Sequence, residues 1–415
     1  MIKLKQAVIF CGGLGTRLRP ITDKLPKPLA PVNNIPFLDY LLRQLQEQGI
    51  KKVLLLIGYK ANCIKEYILN NPNYLLIFDF CEGPQEWETG TRLWNARNQL
   101  EDEYLLLYSD NYASFSLKKS FKMFRQKQSA ICLLLYPKKN GNVSIDNLNN
   151  VEKYDPSRSS NSFKYVEVGY MIMNKNLALK ELNRDSSLTE TIVKLVNQGK
   201  VSAIVNSGIY HSISDPTRLK ITEEYLKPKK ILLIDRDGTI NIKAPMMKYI
   251  SNINDFKFID STLRAMEYLS DYGFSFIVIT NQAGIARGLL SSTELEQVNQ
   301  YMCSELKNKG INILDIYICP HHWDDECLCR KPAPGLILEA SKDYNLWLDH
   351  TYFVGDDPRD IYAAKNAGTR SIIIGDQRRG CKKDLGLPDA EADHLYELAP
   401  WIVQRYESLR KIYDF

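Results

Sequence analysis

The chain is 415 residues long, 44% hydrophobic and 25% charged, and carries a net charge of +5. That length is too great for one ordinary core and predicts two or three domains of a soluble globular protein. Apolar runs such as residues 54–57 and 276–279 are strand-sized and far short of a membrane span, and no basic stripe studded with aromatics marks a nucleic-acid binder.

In chain order, residues 1–5 are charged, but residues 7–11 run straight into a glycine loop rather than a leader's apolar core. A cytoplasmic location is therefore expected. Residues 7–11, 53–57, 75–78, 104–108 and 131–136 read as strands, and residues 37–48, 62–69, 92–99 and 117–126 as helices. Such alternation predicts a mostly parallel sheet covered on both faces. Residues 139–161, rich in Asn and Ser, read as a loop or edge hairpin; a helix over 188–198 and a polar stretch to residue 226 close this half. The Lys-Pro-Lys-Lys of residues 227–230 marks a break, which places domains at 1–227 and 228–415. Strands are then expected at 231–234, 275–280, 313–318, 351–354 and 370–374. Most of the nine cysteines are scattered, as in a reduced protein, but three fall within residues 319–329.

The first strand leads into Cys11-Gly12-Gly13-Leu14-Gly15-Thr16-Arg17-Leu18-Arg19-Pro20. Glycines let the backbone approach a phosphate chain and present N–H groups to it, and Arg17 adds a charged fork. No Gly-Lys-Ser/Thr follows, so this is not a Walker loop, and Leu18 stands where a dinucleotide fingerprint has its third glycine. Lys27 lies in the proline-stiffened run Leu25-Pro-Lys27-Pro-Leu-Ala-Pro-Val32. Together these residues resemble the opening signature of sugar-1-phosphate nucleotidyltransferases. Pro36-Phe-Leu-Asp-Tyr-Leu-Leu and Gly58-Tyr59 are similar to the D-glycero-α-D-manno-heptose 1-phosphate guanylyltransferase branch. The resemblance assigns Gly12, Gly13, Gly15, Thr16 and Arg17 to nucleotide phosphates, Lys27 to a phosphate contact and Asp110 to Mg2+. It also places Thr89 and Gly90 near the base or sugar. Where that family has a second metal-binding Asp, the run Tyr210-His211-Ser212-Ile213-Ser214-Asp215-Pro216 offers Ser212, a poorer ligand. Asp215 and Glu167 are the carboxylates available to substitute.

In the second half, Ile231-Leu-Leu-Ile-Asp235-Arg-Asp237-Gly-Thr-Ile-Asn241 puts two carboxylates just past an apolar strand, where open α/β sheets bind ligands. One carboxylate can attack phosphorus while the other handles a proton, and a pair so close calls for a cation such as Mg2+. Thr280-Asn281-Gln282 ends another strand, Val354-Gly355-Asp356-Asp357 a third, and Arg330-Lys331-Pro332 supplies positive charge. This order of motifs resembles the haloacid dehalogenase superfamily of phosphatases. The resemblance implies Asp235 as nucleophile, Asp237 as general acid/base, Thr280 and Lys331 as phosphoryl holders, and Mg2+ on Asp235, Asp237 and Asp356.

Cys319-Pro-His321-His322-Trp-Asp-Asp-Glu-Cys327-Leu-Cys329 carries two close pairs of soft donors separated by five residues, the pattern of a closed structural Zn2+ site. His321 is preferred over His322 because it completes a Cys-x-His pair. A zinc loop just before Arg330-Lys331 resembles the branch holding D-glycero-D-manno-heptose 1,7-bisphosphate phosphatases and histidinol-phosphate phosphatases. There, residues matching Asn281 and Arg287 lie near the substrate, and Arg330 belongs with them.

The expected fold class is thus α/β with two doubly wound domains. The first is a nucleotidyltransferase-like Rossmann-type domain, the second a haloacid dehalogenase-like domain with a zinc loop. The two resemblances meet in one pathway, since a heptose 1,7-bisphosphate phosphatase makes the heptose 1-phosphate that a guanylyltransferase consumes. A bifunctional enzyme making GDP-heptose for surface polysaccharide is expected, with sugar phosphates and a nucleoside triphosphate as its small-molecule partners. Two alternatives stand beside it: a phosphatase whose first domain only binds nucleotide or sugar phosphate, and the same two reactions on another sugar or base.

Overall fold

The computed structural model describes residues 4–71, 75–158, 163–185, 187–206, 208–245, 248–376 and 386–413. Contacts divide the chain into two units, Met1–Glu224 and Tyr225–Phe415.

In the first unit a nine-stranded sheet runs Val151–Tyr154, Val143–Ile145, Tyr165–Asn174, Glu103–Tyr108, Gln6–Cys11, Lys52–Ile57 and Ile77–Glu82. Ile131–Pro137 and Val201–Val205 attach beside Tyr165–Asn174. Every residue of Gln6–Cys11 is buried, as a central strand covered on both faces requires. It pairs in parallel with Lys52–Ile57 and Glu103–Tyr108, so the loops that follow all three strands emerge at one end. The sheet is mixed rather than mostly parallel, because Tyr165–Asn174 lies antiparallel to both Glu103–Tyr108 and Ile131–Pro137.

Several boundaries differ from the sequence reading. The strand expected at 75–78 is Ile77–Glu82: pairing with Lys52–Ile57 starts at Ile77, and Leu75 is left 78% exposed. The helix expected at 92–99 begins earlier, at Thr89, and ends at Ala96 in a tighter turn, Arg97–Gln99. Residues 139–158 hold the antiparallel pair Val143–Ile145 and Val151–Tyr154 at the sheet edge, while 159–162 lie outside the described residues. The polar stretch before residue 226 contains Val201–Val205, Tyr210–Ser212 and the helix Pro216–Tyr225.

The second unit is built on six strands in the order Ile313–Cys319, Ser275–Asn281, Ile231–Ile234, Tyr352–Gly355, Arg370–Ile374, Ala390–Ala392, all parallel. Side chains alternate between two apolar layers: Leu232, Ile234, Phe276 and Val278 join one, and Leu233, Ile277 and Ile279 the other. Helices Asp260–Asp271, Ser292–Asn308 and Leu395–Tyr413 and helices Gly335–Tyr344 and Pro358–Ala367 supply the rest of these layers. Capping boxes, Ser291 with Glu294 and Asp357 with Asp360, start two of the helices. Among the described residues no helix is long and apolar enough to cross a membrane.

Candidate active sites

In the second unit the central strand Ile231–Ile234 has neighbours on both sides, Ser275–Asn281 and Tyr352–Gly355. Their carboxyl ends open together, and Asp235, Thr280 and Asp356 each sit at one of them. Asp235 is pinned by its own N–H, which donates to Val354 O at 2.8 Å. Lys331 reaches in from the loop before Gly335–Tyr344. Its Nζ donates to Asp235 Oδ1 at 2.6 Å, to Ile279 O at 2.9 Å and lies 2.7 Å from Asp360 Oδ1. Asn281 fixes that loop by exchanging two bonds with the backbone of Lys331, at 3.1 and 3.2 Å.

Asp237, expected among the Mg2+ ligands, spends both oxygens on protein. Oδ1 accepts from Asn241 at 3.0 Å; Oδ2 accepts from Gln282 at 2.7 Å and from the fully buried Arg236 at 2.9 Å. Three other carboxylates, Asp235, Asp356 and Asp360, bring their oxygens within 4.8 Å of one another. Asp356 Oδ1 is buried without a hydrogen-bond partner, while Oδ2 meets Lys243 Nζ at 2.5 Å. An unsatisfied carboxylate oxygen among hard oxygen donors fits a divalent cation of the Mg2+ type.

These charges reset one another. Burial pushes Asp235 up to about 6, with Asp360 adding to the rise and Lys331 opposing it. For Asp237 burial also works upward, but Arg236, Asn241 and Gln282 prevail and hold it below the ordinary carboxylate range. Lys331 would be lowered by burial, yet Asp235 and Asp360 raise it to about 12, so it stays charged. The site therefore holds a carboxylate of raised proton affinity against a charged ammonium.

A cavity of about 440 Å³ opens over these groups, with Lys243, Lys248, Arg287 and Arg330 along its walls. Thr280 is buried beneath it, its hydroxyl accepting from Gln282 Nε2 at 2.9 Å. Arg287 donates to Tyr249 Oη at 3.3 Å and lies 5.2 Å from the ring of Trp323.

Trp323 belongs to the cysteine loop. Cys319, which ends Ile313–Cys319, lies 3.7 Å from both Cys327 Sγ and His321 Nδ1; Cys329 Sγ is 3.5 Å from Cys319, 3.4 Å from Cys327 and 3.1 Å from His321. Donors bound tetrahedrally at about 2.3 Å (S) and about 2.0 Å (N) stand roughly 3.5–3.8 Å apart, so these four atoms already sit near the edges of a zinc tetrahedron. His322 points elsewhere: its N–H donates to Asp325 at 2.7 Å, and its Nδ1 accepts from Asp324 N at 3.3 Å. The loop closes on the next helix through Gly335 N–H, which donates to Leu328 O at 3.0 Å. A Cβ at Gly335 would lie 2.3 Å from that oxygen, so the close approach needs glycine.

The first unit carries its own cavity, of about 420 Å³, lined by Gly12, Gly13, Gly15, Thr16, Arg17, Lys27, Thr89, Arg92 and Asp110 among others. Gly15 adopts φ 64°, and Tyr59 N–H donates to Gly12 O at 3.2 Å. Lys27 Nζ donates to Asp110 Oδ2 at 2.5 Å. Gly90 is buried inside the helix Thr89–Ala96 rather than in a loop beside the cavity. Arg92, which the sequence reading took only as a helix residue, is buried under the glycine loop and donates to Ile57 O at 2.9 Å and Pro84 O at 2.7 Å.

Ser212 pairs with Asn111, the neighbour of Asp110, and its Oγ accepts from Arg218 at 3.1 Å. The cavity wall holds Ser214 in its place. Asp215 accepts from Ser214 Oγ and Arg218 N–H, at 3.0 and 2.9 Å. Glu167 takes a hydrogen bond from Gly169 N–H and is pushed up to about 7, by burial first and by Asp110 in addition. Among the described residues no trio of metal-binding side chains gathers at Asp110.

Asp360, Lys243, Arg236 and Arg92 were not picked out from sequence. For Asp360 a signal existed: Asp357-Pro-Arg-Asp360 is a capping-box pattern, and a box opening a helix after a strand-end carboxylate aims its second carboxylate back at the site.

Residues 6–210 match a sequence family described as Nucleotidyl transferase, and residues 230–384 one described as Polynucleotide kinase 3 phosphatase. The D-glycero-beta-D-manno-heptose-1,7-bisphosphate 7-phosphatase of Pasteurella multocida is 36% identical over 152 residues, covering 35% of this chain and 81% of that protein. A D-glycero-alpha-D-manno-heptose-1,7-bisphosphate 7-phosphatase of Photorhabdus laumondii is 38% identical over 146 residues, 34% of this chain and 78% of that protein. Among solved structures, HddC of Yersinia pseudotuberculosis covers 54% of this chain and 100% of its own, at 22% identity and a TM-score of 0.47.

Proposed function

We propose two successive reactions for this chain, which belongs through its second unit to the family of D-glycero-D-manno-heptose-1,7-bisphosphate 7-phosphatases. The second unit removes the 7-phosphate of a heptose 1,7-bisphosphate. The first transfers a nucleotidyl group, GMP from GTP, to the heptose 1-phosphate so formed, giving GDP-heptose for surface polysaccharide. The observation that carries the reading is Lys331 at 2.6 Å from Asp235, in a cavity whose walls add five more cations, Lys243, Lys248, Arg287, Arg330 and Arg359, enough to receive both ends of a bisphosphate.

Asp235 attacks the phosphorus, and the sugar oxygen leaves with a proton from Asp237. Asp237 is held ionised in the free site, so the arriving phosphate dianion, by raising its proton affinity, loads it for that step. Water then cleaves the aspartyl-phosphate, and Asp237 accepts its proton. Lys331 and Thr280 hold the phosphoryl oxygens. Mg2+ on Asp235, Asp356 and Asp360 would offset the charge of nucleophile and phosphate when bound. Cys319, His321, Cys327 and Cys329 would hold a structural Zn2+, which would stiffen the loop that carries Lys331. In the first unit, the loop from Gly12 to Arg17 and Lys27 hold the triphosphate, and Asp110 would hold its Mg2+.

A second reading has its own observation. Ser212 faces Arg218 where a carboxylate was expected, which favours a first unit that binds nucleotide without turnover. ³¹P NMR with Mg2+, GTP and heptose 1,7-bisphosphate separates the two. Phosphate followed by pyrophosphate and a nucleotide-sugar signal supports both reactions; phosphate alone supports the second reading; neither product refutes the heptose assignment. In Asp235→Asn, phosphate release stops while transfer to supplied heptose 1-phosphate continues.

A further inference from the structure

Five carboxylates crowd the phosphatase site, and four cations answer them. Arg236 is fixed on Asp237, Arg359 on Asp357, and Lys331 is shared by Asp235 and Asp360. The fourth contact is Lys243 Nζ on Asp356 Oδ2, at 2.5 Å. It differs from the others in two ways. The Arg236 and Lys331 side chains are 0% and 4% exposed and cannot leave their partners, whereas that of Lys243 is 40% exposed and lines the cavity on a flexible stem. Arg359 is exposed as well, but it grips Asp357 with two nitrogens, each at 2.8 Å, while Lys243 offers a point charge.

The contact is also incomplete. Lys243 satisfies one oxygen of Asp356 and leaves Oδ1 buried without a partner, although that carboxylate is shared with the cluster that suits a divalent ion. The approach depends on Gly238 at φ 94°: a Cβ there would lie 2.5 Å from both Lys243 Cε and Asp356 Oδ2. A lysine brought over a glycine onto a half-satisfied metal-type carboxylate is a monovalent cation standing where a divalent one would do more.

We infer that Lys243 is an internal counter-ion that competes with the divalent cation for Asp356 and, once displaced, turns into the cavity to bind the substrate's phosphate. The inference rests on the phosphatase reading above. Covering Asp356 keeps a crowded carboxylate site charged and folded before metal arrives, since an unpaired buried carboxylate is costly. The cost is weaker metal binding. The gain is a cation released beside the phosphate when the metal is in place.

Calorimetric titration of the full chain with MgCl2 alone, without substrate, tests this directly. Lys243→Met is expected to bind Mg2+ about tenfold more tightly than wild type, the scale of removing one charge beside a partly exposed site, and Lys243→Arg to stay near wild type. At saturating Mg2+ with the bisphosphate, Lys243→Met should raise KM several-fold more than it lowers kcat, the signature of lost substrate binding. Mg2+ binding no tighter in Lys243→Met than in wild type would overturn the inference. A wild type that binds no Mg2+ at all would overturn the phosphatase reading instead.

Discussion

Lys331 Nζ lies 2.7 Å from Asp360 Oδ1, both groups almost wholly buried, so the lysine is held from two sides, by the strand-end Asp235 and by the helix-start Asp360. Gly355 makes this possible, because a Cβ there would stand 2.2 Å from Asp360 Oδ2.

Asp360→Asn keeps the shape and removes the charge. It should cost about 1.5–3 kcal/mol of stability, the range for a hydrogen bond to a charged group, and lower kcat more than KM, since a loosened lysine fails in the transition state. Denaturant unfolding and steady-state phosphate release check the two parts. A variant with wild-type kcat would show that Asp235 alone positions Lys331.

Glu167 sets a pH dependence in the first unit. Its carboxyl is pushed from the ordinary 4.5 to about 7, mainly by burial, so the folded state prefers it protonated. Its stabilising contribution is then complete below the unfolded value and is lost as pH rises through about 7. Glu167→Gln cannot ionise, so it should melt above wild type at about pH 8 and match it near about pH 4. Calorimetry with a chelator present measures the difference; a gap that does not change with pH contradicts the assignment.

What the sequence disclosed follows from chain geometry. Asp235, Thr280 and Asp356 were legible because each directly follows a short apolar run, and the end of a parallel strand is a fixed place in such a sheet. The cluster of Cys319, His321, Cys327 and Cys329 was legible because its four donors lie within 11 residues. Lys243 was not, since its partner is 113 residues away and nothing local marks it. Tyr165–Asn174 was missed as a long strand because Gly169, at φ 78°, interrupts its apolar pattern beside a register shift.

Arg92 shows the same limit and yields a third prediction. Its guanidinium fills the space over Gly12 and Gly58: a Cβ on Gly12 would stand 2.3 Å from Arg92 Cζ, and one on Gly58 2.7 Å from Nη2. Gly12 is therefore required by a buried arginine as well as by any phosphate. Gly12→Ala should cost about 1–3 kcal/mol through overpacking, and Gly13→Ala, whose Cβ meets nothing within 4 Å, far less. If both variants weaken nucleotide binding but neither shifts the melting of the first unit, the arginine is not what constrains Gly12.

The cysteine loop offers a proposed Zn2+ site a choice between adjacent histidines. His321 Nδ1 lies 3.1 Å from Cys329 Sγ, whereas His322 is engaged with Asp324 and Asp325. His321→Ala should therefore lose most of its zinc and His322→Ala keep one ion per chain, as read by metal analysis of the purified proteins. Loss of the ion frees the loop that ends in Arg330 and Lys331, so His321→Ala should also melt several degrees lower, by about 5 °C or more, because structural zinc contributes folding free energy. Phosphate release should fall in the same variant through Lys331, and Cys327→Ser should reproduce both effects. Equal zinc content in the two histidine variants would mean that three thiolates suffice, and that the stiffening of Lys331 comes from Asn281 and Asp360 alone.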